Sequence, residues 1–367
     1  MSKKSRSILN LLIVVVFAAL VIFTAVCNAE AQQKVNWRLQ SVYPPPEEVY
    51  TGAGVPGAYG QFVELARRVE KRTNGNFKIK VYLPDEICKR NECPEALMGG
   101  MIDALGTNGQ WHVGVWPVGE ISGNIPYSTR SYKEFTDIYT KTDYIKLVRA
   151  AHAKKNVFWL CPIESASANF MTNFPMNSVA DLKGKKIAAS GPRADLIKAM
   201  GGVPVNVTAA EMYTALQRGM VDGITYPPYT GLSYKFYEVV KYVIWPGITV
   251  PSMSEVLVNL KAWNRLPKEY QQILDEEGYK MFVEDAMKKW GPKKDDLAQK
   301  NAAKYGVKNI YLTDKAYDEM RQFTFPLWNR WKTLDAENAA LIKIFEDQLA
   351  QQKQQPAKPA KAAPKKK

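Results

Sequence analysis

The 367-residue chain holds 50 Lys and Arg against 36 Asp and Glu, a net +14, with 46% hydrophobic and 23% charged residues. That balance is globular and excludes a disordered, collagen-like or many-span membrane chain. The first 31 residues carry +2 and the segment after Gln351 carries +6, which leaves +6 on the body, too diffuse for a nucleic-acid groove.

Residues 1–31 read as a signal peptide: Lys3, Lys4 and Arg6, an uncharged run from Ile8 to Cys27, then small residues at Ala29 and Ala31. The expectation is export to the periplasm with cleavage after Ala31. Two rivals are a lipid on Cys27 and an uncleaved anchor, since the apolar run approaches the ~20 residues that span a bilayer. Val35 to Ser41 reads as a strand, Val42-Tyr-Pro-Pro-Pro46 as a loop, and Phe62, Leu65, Ala66 and Val69 as one face of a helix closed by Asn74-Gly75. Phe77 to Leu83 alternates as a strand. An oxidising compartment and the short polar run between Cys88 and Cys93 predict a disulfide there, with Cys161 a buried thiol. Pro94 to Gly100 and Tyr132 to Ala153 read as helices, Ile102 to Leu105 and Val157 to Pro162 as strands.

A second α/β series follows: a turn and strand over Asp181 to Ala189, a helix from Pro192 to Met200, an extended Val203 to Val207, and a helix opened by a Thr208 to Glu211 capping box. Long helices cover Lys268 to Tyr305, interrupted at Gly291-Pro292, and Asp314 to Leu349. Residues 350–367, all Gln, Ala, Pro and Lys, are expected to be disordered; their charge suits weak contact with an anionic membrane surface. Two α/β series imply two lobes around a cleft, the usual place for a ligand in open α/β sheets. The expected division is 32–165 with 254–292, and 166–253 with 293–349.

Catalytic and cofactor signatures are missing. No P-loop, nucleophile elbow or His-Glu-x-x-His occurs, and His112 and His152, the only histidines, stand beside no nucleophile motif. Two cysteines with two distant histidines make a poor metal set. Neither a cofactor nor a metal is expected.

Several segments together carry a resemblance: Phe62 to Val81 with Arg72-Thr-Asn-Gly75, Gly100-Met-Ile-Asp103, Asp181 to Ile187, Tyr213-Thr-Ala-Leu-Gln-Arg-Gly-Met-Val-Asp-Gly223 and Phe236 to Tyr242. In order and spacing the chain resembles the DctP-like solute-binding proteins of tripartite ATP-independent periplasmic (TRAP) transporters. The resemblance implies an α/β protein with two lobes, a hinge and a long bridging helix, closing on a small solute and delivering it to membrane permease subunits. It also implies an Arg after the Gly-Lys-Lys-Ile strand, where this chain has Ala188, and often an earlier Arg, where it has Ala168.

Two accounts of the solute follow. In one it is still an organic acid, held by Arg193 in the first helical turn after Pro192. In the other it is neutral or aromatic, stacked on Tyr43, Trp111 and Tyr226 and hydrogen-bonded by Asn108, Gln110 and Asn169. Loss of the usual arginines favours the second. Tyr213 completes the candidate binding set. The competing readings are an exported enzyme on the same scaffold and a ligand-sensing partner of a membrane signalling protein.

Overall fold

The computed structural model describes residues 33–45, 55–123, 125–164 and 166–354. The expected signal peptide and the tail beyond 354 lie outside them.

Val35–Ser41 (β1) buries Trp37 and Leu39, and Ala58–Arg72 (α1) buries Phe62, Leu65, Ala66 and Val69 along one face. Phe77–Tyr82 (β2), Cys93–Gly99 (α2) and Ala104–Thr107 (β3) follow, and β1 pairs in parallel with both β2 and β3. The helix expected over 132–153 is two, Tyr132–Lys141 (α3) and Tyr144–Ala153 (α4). Thr142 divides them. Its hydroxyl donates to Ile138 O at 2.6 Å and accepts from Tyr144 N at 3.2 Å, ending one helix and opening the next. Val157–Glu164 (β4) completes this stretch of the chain.

The second series is Asn169–Thr172 (β5), Lys186–Ala188 (β6), Pro192–Ala199 (α5), Val203–Val205 (β7), Ala209–Gln217 (α6), Gly223–Tyr226 (β8) and Tyr242–Trp245 (β9). The chain then returns to the first sheet as Met253–Asn259 (β10), buried at every residue and antiparallel to both β3 and β4. The first sheet has the order β2-β1-β3-β10-β4. The second is β11-β9-β5-β8-β6-β7, with Lys308–Tyr311 as β11. Alternation gives each sheet two apolar faces: Leu257 joins one cluster, Val256 and Val258 the other.

Residues 166–168 and 246–252 cross between the sheets side by side. Ala168 N donates to Thr249 O at 3.0 Å, Ile248 N to Ala168 O at 2.7 Å and Ser252 N to Ala166 O at 2.7 Å. A third link is helical. Lys268–Tyr279, Lys280–Trp290 and Gly291–Lys304 run on as one helix, α7, touching α1 and β4 of the first sheet and β11 of the second. The expected interruption at Gly291-Pro292 does not occur, because the wider π-helical turns before Pro292 relieve the clash its ring would make.

The last helices, Asp314–Gln322 (α8), Phe325–Lys332 (α9) and Ala336–Gln354 (α10), depart from the expected division. Helix α8 sets Tyr317 and Met320 beside Ile187 and Ile244 of the second sheet. Helices α9 and α10 instead place Trp328, Trp331, Leu341, Ile342 and Phe345 with Trp159 and Phe282 of the first. Helix α10 also takes in 350–354, expected to be disordered, because Gln and Ala prolong a helix already docked through Leu349.

Candidate functional site

A cavity of about 330 Å³ lies between the two sheets, at the small end of the roughly 300–1,000 Å³ usual for ligand pockets. Tyr43 follows β1, Asn108 and Trp111 follow β3, Arg193 opens the helix after β6, and Tyr226 ends β8, so the walls come from strand carboxyl ends. Ser252 and Ser254 reach the same place from the start of the oppositely directed β10. Both sheets therefore supply walls to one space.

On the first-sheet side Tyr43 and Trp111 form an aromatic wall, their ring centres 5.5 Å apart. The Tyr43 hydroxyl lies 2.6 Å from Ser254 Oγ, which fixes the phenol across the cavity. Across the gap, Tyr226 packs edge-on to Tyr234 at 5.7 Å and to Phe236 at 5.9 Å. Burial pushes both Tyr43 and Tyr226 upward, so both phenols are neutral and able to donate.

Arg193 is half-buried, and its Nε is wholly buried without a hydrogen-bond partner. Among the described residues no carboxylate pairs with its guanidinium. Burial pushes its pKa down, opposed by the Tyr226 and Tyr43 phenols. Such a group carries a desolvation cost that a bound anion would offset. Gly191 precedes this helix at φ +56, a conformation that favours glycine, and two residues on Arg193 lines the cavity.

Five of the eight expected binding residues thus meet at the cavity: Tyr43, Asn108, Trp111, Arg193 and Tyr226. Asn108 has a more structural part than expected, since its Nδ2 donates to Met253 O at 3.1 Å and its Oδ1 accepts from Gln110 N at 2.9 Å. Gln110, Asn169 and Tyr213 do not line the space. Gln110 lies against Gly123 and Gly191, in the seam between the lobes. Asn169 is fully buried, its Nδ2 donating to Ile244 O and its Oδ1 accepting from Ser167. Tyr213 turns away on α6 to donate to Glu238 at 3.2 Å. Ala188 is buried beside β8, and Ala168 lies in the crossing strands.

Sequence reasoning missed Ser252, Ser254, Thr230, Ser233 and Tyr234. A readable signal was the polar and aromatic density of Tyr226 to Tyr234 directly after a strand. The structure joins Cys88 to Cys93 in a disulfide and leaves Cys161 a buried thiol, pushed up to about 12 by burial. Among the described residues no cluster of His, Cys, Asp or Glu suits a metal ion.

Residues 57–334 match the family pattern of DctP, described as bacterial extracellular solute-binding protein, family 7. The monocarboxylate 2-oxoacid-binding periplasmic protein of Nostoc sp. is 26% identical over 278 residues, 74% of this chain and 73% of the relative. The C4-dicarboxylate-binding periplasmic protein DctP of Rhodobacter capsulatus is 28% identical over 221 residues, 59% of this chain and 64% of the relative. A TRAP periplasmic solute-binding protein of Rhodoferax ferrireducens, solved with bound malonate, superposes with a TM-score of 0.74 at 19% identity, covering 87% of this chain and 100% of that one.

Proposed function

The chain belongs to the DctP family of bacterial extracellular solute-binding proteins, receptors of TRAP systems and not enzymes, and from that premise we propose that its solute is a small organic acid anchored by Arg193. The observation that carries the reading is the buried, unpartnered Arg193 Nε in the cavity between the sheets. A carboxylate there would gain charge-assisted, directional bonds that no neutral group matches. The ligands for which the relatives are named or with which they were solved, 2-oxoacids, C4-dicarboxylates and malonate, share that group. This reading sets aside the neutral-solute account that the missing arginines favoured.

Closure in this proposal follows from contacts on both sides. The solute would meet Arg193 and Tyr226 from the second sheet, Tyr43 and Ser254 from the first, and Ser252 at the crossing between them, so binding favours the closed arrangement. The hinge would be the paired crossings at 166–168 and 246–252. We place 32–165 and 254–292 in the first lobe together with the α9 and α10 helices, and 166–253 with 293–322 in the second. Delivery to a membrane permease pair, export by a signal peptide cut after Ala31, and a membrane-surface contact of the basic tail belong to the same proposal. The family's periplasmic setting and the sequence of the first 31 residues support the export step.

A thermal-shift screen over organic acids and their amides tests the solute class, because a ligand that binds only the folded form raises its apparent stability. The expected result is a rise with one or more acids and none with the matching amides. A rise with amides or uncharged aromatics alone would contradict it.

A further inference from the structure

We propose that Arg90, carried on the loop closed by the Cys88–Cys93 disulfide, is a second determinant of acid specificity, acting on the cavity through the Trp111 ring. The inference rests on the acid reading of the same cavity and adds a charge from the first lobe.

Cys88 and Cys93 are both buried in the first lobe's core, while Lys89, Arg90, Asn91 and Glu92 between them are exposed. The loop is tied to β1 where Ile87 N donates to Gln40 Oε1 at 3.0 Å, and it closes on itself where Cys93 N donates to Lys89 O at 3.0 Å. A loop so held presents its tip in one place. There the Arg90 guanidinium carbon lies 5.0 Å from the centre of the Trp111 ring. Trp111 in turn lines the cavity beside Tyr43.

Arg90 is not neutralised by its neighbours. Among the described residues no carboxylate forms an ion pair with it, and two of the acids near it in sequence accept from backbone N–H groups. Glu86 accepts from Leu83 N at 2.6 Å and Glu92 from Lys89 N at 3.4 Å. Arg90 and Arg193, from opposite lobes, both favour the ionised form of Tyr43, so two positive fields meet at this wall. An anion held by Arg193 would feel both, and a neutral solute neither. The stack also holds the partly exposed Trp111 ring against the cavity. Arg fits this place better than Lys because its planar cation lies flat on an indole.

The test is calorimetry on the full chain with pyruvate, malonate and orotate, followed by the tightest of these and its amide. Arg90→Ala should weaken acid binding about twofold to fivefold at 0.15 M salt, and more at lower salt, with the amide unmoved. Arg90→Lys should recover part of the loss. Cys88→Ser with Cys93→Ser should reproduce the Arg90→Ala effect, and combining all three should add nothing further. If the cysteine variant does not fold, Arg90→Ala with its disulfide intact still decides. Unchanged acid affinity in Arg90→Ala, or equal losses for acid and amide, would overturn the inference. Arg193→Ala separates the two levels. If it abolishes acid binding while Arg90→Ala does nothing, only this inference fails. If it leaves acid binding intact, or if no acid of the panel binds, the acid reading falls and takes this inference with it.

Discussion

The Ser167 hydroxyl lies 2.7 Å from Asp295 Oδ1 and equally 2.7 Å from Asn169 Oδ1. A hydroxyl has one hydrogen and cannot donate to both. Asn169 Oδ1 must be the acceptor, because the amide nitrogen is spent on Ile244 O at 2.7 Å. The second contact is satisfied when Asp295 carries a proton. Asp295 Oδ2 meanwhile accepts from the Tyr132 hydroxyl at 2.8 Å. This one carboxyl therefore ties the bridging helix to a crossing strand and to the first lobe.

Burial pushes Asp295 up to about 6, against the pull of Ser167, Tyr132 and Lys294. A carboxyl raised in the fold binds its proton more tightly folded than unfolded. Its stabilising contribution is complete below the unfolded value near 3.8 and fades as pH rises to about 6. Asp295→Asn imitates the protonated form at every pH. Its melting temperature should gain on the wild type between pH 4 and 6 and hold that gain above. A constant difference across pH 4 to 8 would show that Asp295 does not titrate in this range.

The buried histidines work in the opposite direction. Burial pushes His152 and His112 down to about 4, against the bond that His152 Nδ1 donates to Val148 O at 3.0 Å and with the field of Arg90 assisting at His112. Stability from each is complete above the unfolded value of 6.5 and is lost as pH falls toward 4. The penalty of His152→Asn at pH 7.5 should therefore shrink on acidification, by up to about 3 kcal/mol. With only two histidines in the chain, NMR titration can follow each. Arg90→Ala should move His112 upward and leave His152 in place.

Gly291 sits where α7 meets Tyr132. A β-carbon there would come 2.3 Å from Tyr132 Cε1. Gly291→Ala should cost about 1–3 kcal/mol by overpacking and displace the phenol from Asp295. Chemical denaturation measures the loss. Tyr132→Phe keeps the ring and removes only the hydroxyl, so it should cost less.

The strands and helices that carry the cavity were legible because their periodicity is local. Tyr43, Trp111, Arg193 and Tyr226 could be named because each lies at the end of a strand or in the few residues after one. Side-chain direction was not legible. Asn169 occupies a plausible position on β5, yet it faces the crossing strands, and Tyr213 occupies one on α6, yet it faces Glu238. Ser252 and Ser254 were missed for another reason. Ser252 ends the crossing and Ser254 lies on β10, which arrives antiparallel from the other lobe, and nothing in Ser252-Met-Ser254 announces that long-range insertion. The same limit hid the docking of Trp328 and Trp331 onto the first sheet, since an apolar helical face does not say which lobe it will cover.

The central claim is that a guanidinium in the cleft selects a carboxylate, and titration calorimetry of Arg193→Ala with the best-binding organic acid tests it most directly. The account predicts acid affinity about 10- to 100-fold weaker, the loss of one or two charge-assisted bonds. It also predicts that the unliganded variant melts no earlier than the wild type, because an uncompensated buried charge has been removed. Acid affinity that survives the substitution unchanged would contradict it.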